Sequence, residues 1–290
     1  MAEVLNPGSR RLWPVDRIII AYFTFTTVLI LVWWKNLPEA PHLLALHAVF
    51  MAVLAFEIKR PNFTTRVFRN WYPVIYVAWC YKEMAVLVPA VHRSDYDRFL
   101  AGLDFRIWYA YPTVWLERIA TPLLTEMLQV AYTLFVPAVL LVAFLLWKKG
   151  RMAQFQYYAF LIALGFLISY IGYLVVPARG PRFLLKHLQH APLQGLWMFR
   201  GMRATLDRLE SAAYDCFPSG HTELTILAWW GSRMFSKRVF WAYFAYTPLL
   251  IFATVYLRYH YTVDLLAGAG VACILIVAAP VFYRKLSMEA

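Results

Sequence analysis

Long apolar stretches recur along the whole chain, and they constrain its fold more than any other feature. A helix needs about 20 mostly apolar residues to cross the hydrocarbon core of a bilayer. Apolar runs occupy eight segments: 17–34, 41–57, 71–90, 120–147, 154–177, 221–236, 238–257 and 261–283. Only 15% of the 290 residues are charged, whereas a soluble domain typically carries about a quarter. The sequence therefore predicts an all-α fold: a polytopic membrane helix bundle with about six core transmembrane helices plus two N-terminal ones.

The third apolar segment is the weakest of the eight, because Lys82 and Glu83 lie in its middle. It is either a true span with a paired internal charge or a re-entrant segment. The chain shows no repeat and no soluble domain, so we expect a single membrane domain. Residues 1–119 would supply N-terminal transmembrane and interfacial helices, and residues 120–290 a helical core.

The basic residues cluster in short segments between the apolar runs, as the positive-inside rule describes. With eight spans, all of the following fall on one side: Arg10, Arg11, Arg17, Lys59, Arg60, Arg66, Arg69, Lys148, Lys149, Arg151, Arg233, Lys237, Arg238, Arg284 and Lys285. This pattern predicts cytoplasmic termini in a plasma or inner membrane. It places residues 91–119, 178–220 and 258–260 on the extracytoplasmic face. The net charge of +12 has this origin, so no nucleic-acid partner is expected.

Three polar motifs lie on this predicted extracytoplasmic face, at 177–183 (PARGPRF), 216–222 (CFPSGHT) and 258–264 (RYHYTVD). The stretch 183–217 between the first two is either a lid over a site or a plain surface loop.

Arginine and helix N-termini are suited to holding phosphate. A guanidinium pairs bidentately with phosphate oxygens, and Arg179, Arg182 and Arg258 share one membrane face. Ser219 and Gly220 precede a predicted helix, where free backbone N–H groups favour an anion. These five residues are the candidate phosphate-binding set.

Two histidines and one carboxylate complete the candidate site. His260 and Asp264 are four residues apart, which puts them on one face of a helix. The carboxylate would fix the tautomer of His260 and leave the other ring nitrogen free to attack phosphorus. His221 would act as general acid and base. The two histidines lack a third ligand at metal spacing, so no metal and no cofactor is expected.

Each residue also has a purely structural interpretation. Histidines near a membrane interface are often hydrogen-bonded structural groups, arginines beside spans anchor lipid headgroups, and Pro-Ser-Gly-His alone is a turn with a helix cap. The order, common face and complementary roles of the three motifs favour a catalytic site.

The three motifs together resemble the signature of the type-2 phosphatidate phosphatase superfamily, which includes lipid phosphate phosphatases and related haloperoxidases. The resemblance covers residues 154–284 and rests on the complete Pro-Ser-Gly-His motif and on His260 with Asp264. It implies a metal-free phosphohistidine mechanism in which His260 is the nucleophile, Asp264 orients it and His221 is the general acid and base.

The chain departs from the superfamily pattern at two positions. Tyr173 lies where a lysine is expected, and Thr254 lies where an arginine is expected before the nucleophile. Both departures resemble the branch of inositol phosphoceramide synthases and sphingomyelin-synthase-like transferases, as does the segment 96–112, less specifically.

Three functions are therefore open. The first is a lipid phosphatase that cleaves a phosphomonoester or diphosphate of a lipid. The second is a lipid phosphotransferase that moves a phospho-headgroup to another lipid hydroxyl; both act on a lipid phosphate in the bilayer. The third is a transporter or scramblase, which leaves the spacing of His260 and Asp264 unexplained. The particular lipid and the oligomeric state do not follow from the sequence.

Overall fold

The computed structural model describes residues 11–59, 63–209 and 214–288, with side chains in the second range from residue 67. Arg10, Arg60 and the side chain of Arg66, which entered the topology argument, lie outside these limits, as do residues 210–213 of the predicted loop. The described part contains thirteen α-helices: α1 (Pro14–Val32), α2 (Ala40–Lys59), α3 (Phe63–Val91), α4 (Asp97–Trp108), α5 (Pro112–Trp115), α6 (Pro122–Thr133), α7 (Phe135–Lys148), α8 (Met152–Val175), α9 (Pro181–Leu184), α10 (Phe199–Leu209), α11 (Gly220–Ser232), α12 (Lys237–Tyr256) and α13 (Thr262–Met288). Within it, the only strand-like pairing is a bridge between Ala178 and Asp215. The predicted all-α class is confirmed.

Six of the described helices are long and apolar enough to cross a membrane: α1, α2, α3, α8, α12 and α13. The pair α6 and α7, bent by 43° at Leu134, makes a seventh if it counts as one broken span. The segment 221–236, the eighth predicted span, forms the 13-residue helix α11, which at about 20 Å is shorter than the hydrocarbon core of about 30 Å. Arg151, just before α8, donates to the carbonyls of Met234 and Phe235 just after α11. The segment therefore still joins the motif end of the bundle to the opposite end.

The weak third segment is one continuous helix through Lys82 and Glu83. The Glu83 carboxylate lies 2.7 Å from Nε2 of His47 on α2, and Thr27 of α1 is 2.8 Å from the other ring nitrogen. A buried charge in a membrane helix requires a polar partner. The Glu83 carboxylate is therefore paired, and α3 is a continuous helix long and apolar enough to cross a membrane.

Local sequence signals explain where the helices around the site begin. Thr121, Ser219 and Ser236 each accept a hydrogen bond from a backbone N–H in the first turn of α6, α11 and α12. Such caps satisfy donors that a helix start leaves open. The motif segment 216–219 thus ends directly at the first turn of α11.

Helix α11 lies at the centre of the bundle, in contact with α7, α8, α12 and α13. Helix α3 packs along α8, and α1 packs on α2, α3, α8 and α13. Helix α4 lies against α13, and α10 lies against α6. The first residues of α11 and α13 therefore face the same end of the bundle, where the three motifs meet.

Candidate active site

The two predicted catalytic histidines lie side by side. Nδ1 of His221 is 3.3 Å from Nε2 of His260. His221 is the second residue of α11, and His260 lies in the turn between α12 and α13. The backbone N–H of His260 donates to the Thr254 carbonyl at 3.2 Å, which fixes the turn against the end of α12. The structure therefore brings the two rings together from motifs that are 39 residues apart.

The other nitrogen of His260 faces a buried network. Its Nδ1 lies 2.9 Å from the carbonyl oxygen of Cys216 and 3.5 Å from Oδ2 of Asp264. The same Oδ2 accepts the Tyr261 backbone N–H and the Cys216 thiol, each at 2.8 Å. An Nδ1–H donated in this direction leaves Nε2 with its lone pair toward His221. Asp264 lies where the sequence places it, but the Cys216 carbonyl is the nearer acceptor.

Sequence reasoning missed Cys216. Burial first, and then the nearby Asp264 carboxylate, raise the pKa of its thiol well above the usual value. The thiol therefore stays protonated and acts as a donor to Asp264. Its position directly before Phe-Pro-Ser-Gly-His was the one sequence signal that could have identified Cys216 as part of the site.

Cys216, His260 and Asp264 also place three potential metal ligands within 4.8 Å of one another. The sequence argument considered only ligands to the pair His221 and His260 and did not foresee this trio, because the loop 215–219 brings the thiol in from a distant part of the chain. In this structure the Cys216 thiol donates to Oδ2 of Asp264 at 2.8 Å, so the three groups form a hydrogen-bonded network.

His221 is surrounded by aromatic rings. Tyr132 stacks on it with centroids 4.6 Å apart, and Phe135 lies at 4.5 Å. Tyr132 in turn stacks on Tyr259 at 4.4 Å and 8°. Tyr132 and Phe135 flank the bend between α6 and α7, so this bend shapes the walls around the general acid–base candidate. Aromatic residues are frequent in the chain, and no spacing in the sequence singled these out.

The two arginines of the first motif differ in their surroundings. Arg182 is half-buried, donates from Nη1 to Asp207 of α10 at 2.9 Å, and lies 4.9 Å above the Tyr259 ring. Its backbone N–H donates to the Arg258 carbonyl at 3.1 Å, so the first and third motifs are joined. Arg179 is exposed and lies 4.5 Å above the Phe183 ring. Arg182 is thus the arginine that the fold places beside the turn carrying His260.

Arg258 has partners other than the phosphate that the sequence predicts for it. Its buried guanidinium donates to Glu117 at 2.7 Å, to the Gln189 side chain at 2.8 Å and to the Ala191 carbonyl at 2.9 Å. Its backbone is in the left-handed region, with φ 69°, which ends α12 and turns the chain toward His260. These contacts tie the loop after α9 to the segment before α6.

We expect Arg258→Gln to lower the melting temperature by several degrees, because Glu117 loses its charged partner and the loop after α9 loses two hydrogen bonds. Glu117→Gln should do the same, and KM for substrate should change little in either variant. Thermal unfolding in detergent and steady-state kinetics measure the two effects. A large rise in KM for Arg258→Gln without loss of stability would instead support the predicted phosphate contact.

Ser219 and Gly220 serve the start of α11. The Ser219 side-chain oxygen accepts from the N–H of Thr222 at 3.3 Å and from its hydroxyl at 3.1 Å. The backbone N–H of Ser219 donates to the Asp264 carbonyl at 3.0 Å. A Cβ at Gly220 would lie 2.7 Å from the hydroxyl oxygen of Tyr173. A side chain at this position would therefore displace the hydroxyl of Tyr173, the residue at the expected lysine position.

Helix α4 holds two of the motifs by their backbones. The Asp97 carboxylate accepts the N–H groups of Arg179 and Gly180, each at 2.7 Å. Burial raises the pKa of Asp97, while these two hydrogen bonds oppose the shift. Asp104 accepts the N–H groups of Thr262 and Val263, both at 2.9 Å, and so caps α13. Both aspartates were noted in the sequence only as part of the segment 96–112.

The predicted loop 183–217 contains an amphipathic helix, α10, that covers one side of the site. The Glu126 carboxylate accepts the backbone N–H groups of residues 196 to 199, at 2.6 to 3.3 Å. Leu206 and Leu209 of α10 line a cavity of about 390 Å³ that also reaches Gly220 and His221. The described part of the loop is therefore a folded cover over a cavity at the histidines, and whether it moves as a lid stays a prediction.

Comparison with protein families gave one match. The family model described as the PAP2 superfamily matches residues 97–278, from the first residue of α4 into α13. The match begins earlier than the resemblance seen in the sequence and therefore takes in the α4 contacts with Arg179 and Thr262. Searches of curated proteins and of solved structures found no significant match to this chain. Because the family model covers well over half of the chain and all three motifs, this integral membrane protein belongs to the PAP2 superfamily, whose members include phosphatase-type enzymes acting on phosphate esters.

Proposed function

We propose that this protein is a membrane lipid phosphatase that cleaves a phosphomonoester or diphosphate of a lipid through a phosphohistidine on His260. The observation that carries the proposal is the pairing of the two imidazoles at 3.3 Å. One ring is oriented from behind by Cys216 and Asp264, and the other is the second residue of a helix that opens on an apolar cavity.

In the first step, Nε2 of His260 attacks phosphorus and the bond from phosphorus to the lipid oxygen breaks. His221, as the imidazolium, gives a proton to the leaving oxygen, so the lipid leaves as an alcohol, or as a lipid monophosphate when the substrate is a diphosphate. The positive charge that develops on the His260 ring is stabilised by the Cys216 carbonyl and the Asp264 carboxylate. For this step, the phosphoryl group must enter between the two rings and replace their direct contact.

In the second step, His221 takes a proton from water, which attacks the phosphohistidine. The bond between phosphorus and Nε2 breaks, inorganic phosphate leaves, and both histidines return to their starting state. Throughout, Arg182 and Arg179 supply positive charge for the non-bridging oxygens, which carry most of the charge in phosphoryl transfer. No step requires a metal or a cofactor.

The lipid nature of the substrate is supported by the surroundings of His221. Apolar side chains of α3, α7 and α8 line the cavity that begins at this residue, so the non-phosphate part of the substrate meets hydrocarbon-like walls. We further propose that the site faces the extracytoplasmic side of a plasma or inner membrane, with both termini cytoplasmic, on the strength of the loop charges.

A phosphotransferase is the second candidate, and Tyr173 and Thr254 favour it. Tyr173 contacts the start of α11, and Thr254 holds the backbone of the His260 turn; both occupy positions where the superfamily signature has a cation. In this alternative the first step is the same, and a lipid hydroxyl rather than water attacks the phosphohistidine.

The reaction product distinguishes the phosphatase from the phosphotransferase. The purified protein is incubated with labelled lipid phosphates, with and without ceramide or inositol as acceptor. Release of labelled inorganic phosphate without acceptor supports the phosphatase, and a new labelled lipid formed only with acceptor supports the transferase. If neither product forms from any lipid phosphate, the proposed function is wrong.

The contact of Arg182 with Asp207 leads to a prediction about substrate affinity. Asp207 is 46% exposed at its side chain, and its carboxylate occupies the Nη1 donor that we assign to phosphate. Asp207→Asn should therefore lower KM by about two- to fivefold, the range of a partly exposed ion pair, whereas Arg182→Ala should raise KM and lower kcat. Steady-state kinetics on both variants is the test, and an unchanged KM in both would place the phosphate elsewhere.

A further inference from the structure

The two histidines of the proposed mechanism are held in different ways. Nδ1 of His260 faces the Cys216 carbonyl at 2.9 Å and the Asp264 carboxylate at 3.5 Å. Among the described residues, the ring of His221 has a hydrogen-bonding contact only with Nε2 of His260 and forms no ion pair with a carboxylate. The phosphoryl group replaces this contact during the reaction, so no hydrogen bond to the described part of the chain is left to orient the general acid.

Aromatic rings hold His221 instead. Tyr132 stacks on the imidazole with centroids 4.6 Å apart and 27° between the planes. Phe135 packs against the same imidazole with centroids 4.5 Å apart at 44°. Stacking fixes the plane of the imidazole and thereby the direction in which its Nδ1 points. The electron-rich ring face also attracts a cation, so it favours the imidazolium form that a general acid requires.

Tyr132 is itself held by a second tyrosine. Tyr259 stacks on it with centroids 4.4 Å apart and 8° between the planes, and the guanidinium of Arg182 lies 4.9 Å from the centroid of the Tyr259 ring. Tyr132 and Tyr259 are buried, with 2% and 7% exposed. His221, Tyr132, Tyr259 and Arg182 thus form one connected column, which joins the general acid to the arginine that we assign to phosphate.

A packing role is the alternative for Tyr132, because its ring also belongs to an apolar cluster with Leu128, Phe199 and Tyr256. A side chain that only fills space can be replaced by another apolar side chain of similar size. A side chain that orients a cation needs the face of an aromatic ring. Leucine and phenylalanine at position 132 therefore distinguish the two roles.

We propose that Tyr132 is a positioning residue for the general acid: its ring face keeps Nδ1 of His221 directed to the space between the two histidines and stabilises the positive charge of the imidazolium. The inference rests on the proposed function and adds a residue outside the three motifs. In the step that Tyr132 serves, the N–H bond of the imidazolium breaks, the proton bonds to the leaving oxygen, and the ring of His221 becomes neutral.

The dependence of the rate on the leaving group is the test, because only a poor leaving group needs the proton. Dodecyl phosphate releases an alkoxide unless His221 protonates it, whereas a nitrophenyl phosphate with the same dodecyl chain on its ring releases a stable phenolate. The measured quantity is kcat/KM for both substrates, which covers the steps up to release of the first product. Thermal unfolding in detergent checks that each variant remains folded.

Tyr132→Leu should lower kcat/KM for dodecyl phosphate by about 10- to 30-fold, the effect of losing a cation–π contact shielded from water, and for the nitrophenyl substrate by less than about threefold. Tyr132→Phe keeps the ring and should stay within about threefold of the wild type for both substrates. Tyr256→Leu is the matched control, since Tyr256 is buried in the same cluster and has no described ring contact with His221. It should change kcat/KM for the two substrates by the same factor.

The inference is overturned if Tyr132→Leu loses equally on both substrates or keeps full activity on dodecyl phosphate, since Tyr132 would then only fill space. A loss in Tyr132→Phe as large as that in Tyr132→Leu would also overturn it, because the hydroxyl rather than the ring face would be responsible. Each of these outcomes leaves the phosphatase activity of the wild type intact. Failure of the wild type to release phosphate from dodecyl phosphate and from the other lipid phosphates would instead reject the proposed function.

Discussion

Replacing His260 with alanine is expected to reduce turnover by at least about 10⁴-fold, because the variant cannot form the covalent intermediate. The ring is 3% exposed and contacts the Cys216 carbonyl and His221. Because the lost ring is buried, thermal unfolding in detergent checks that the variant remains folded. Phosphate release from a lipid phosphate is the primary measurement. Acid-labile labelling of the protein by the substrate, present in the wild type and lost in the variant, identifies the phosphohistidine.

His187→Ala provides the control for this substitution. His187 is an exposed histidine of the same loop region whose ring contacts only the Leu184 carbonyl among the described hydrogen bonds, and its removal should leave turnover unchanged. The same pair of variants separates an enzyme from a lipid transporter. A scramblase in which the arginines form the headgroup path would continue to move labelled lipid across vesicle membranes without His260, and this result would contradict the catalytic assignment.

Asp264→Asn should keep the fold and reduce kcat by about 10²- to 10⁴-fold, the cost of losing an orienting carboxylate in comparable catalytic groups. Oδ2 of Asp264 accepts the Cys216 thiol and the Tyr261 N–H, and lies 3.5 Å from Nδ1 of His260. An amide oxygen can still accept from one of these donors, but it carries no charge to stabilise a positively charged imidazole.

Cys216→Ala is the companion variant, since it removes the thiol donor to Asp264 and keeps the backbone carbonyl that faces His260. We expect it to reduce kcat by less than about tenfold, the effect of one lost hydrogen bond. Single-turnover measurements of phosphoenzyme formation compare the two variants at the step that needs the oriented ring. Asp264→Asn activity close to that of the wild type would remove Asp264 from the mechanism.

Much of the helical architecture could be predicted from hydrophobicity, because seven of the eight apolar runs became spans or the bent pair α6 and α7. The exception is 221–236, which has the composition of a span but forms a helix that ends at Ser232 and is shorter than the length criterion. The residue at which a helix ends depends on capping and on tertiary contacts, which a hydropathy pattern does not show.

Contacts within the site could be predicted where the residues are close together in the sequence. Contacts between distant parts of the chain could not. His260 and Asp264 are four residues apart, so their proximity was expected, and the family match supports the motifs. Arg258 looked equivalent to Arg182 in the sequence, but its left-handed backbone turns the side chain to Glu117. The partner that Arg258 takes depends on a contact with Glu117, which is 141 positions away in the sequence.

The two carboxylates of α4 connect the arginine segment and the nucleophile segment to one rigid rod. Asp97 and Asp104 are two helical turns apart, so they point from the same side of α4, one to Arg179 and Gly180 and the other to Thr262 and Val263. A single residue inserted between them would rotate one carboxylate by about 100° and release one of the two segments. The spacing of these aspartates therefore sets the register between the arginine segment and the segment that carries the proposed nucleophile, although neither aspartate belongs to the three motifs.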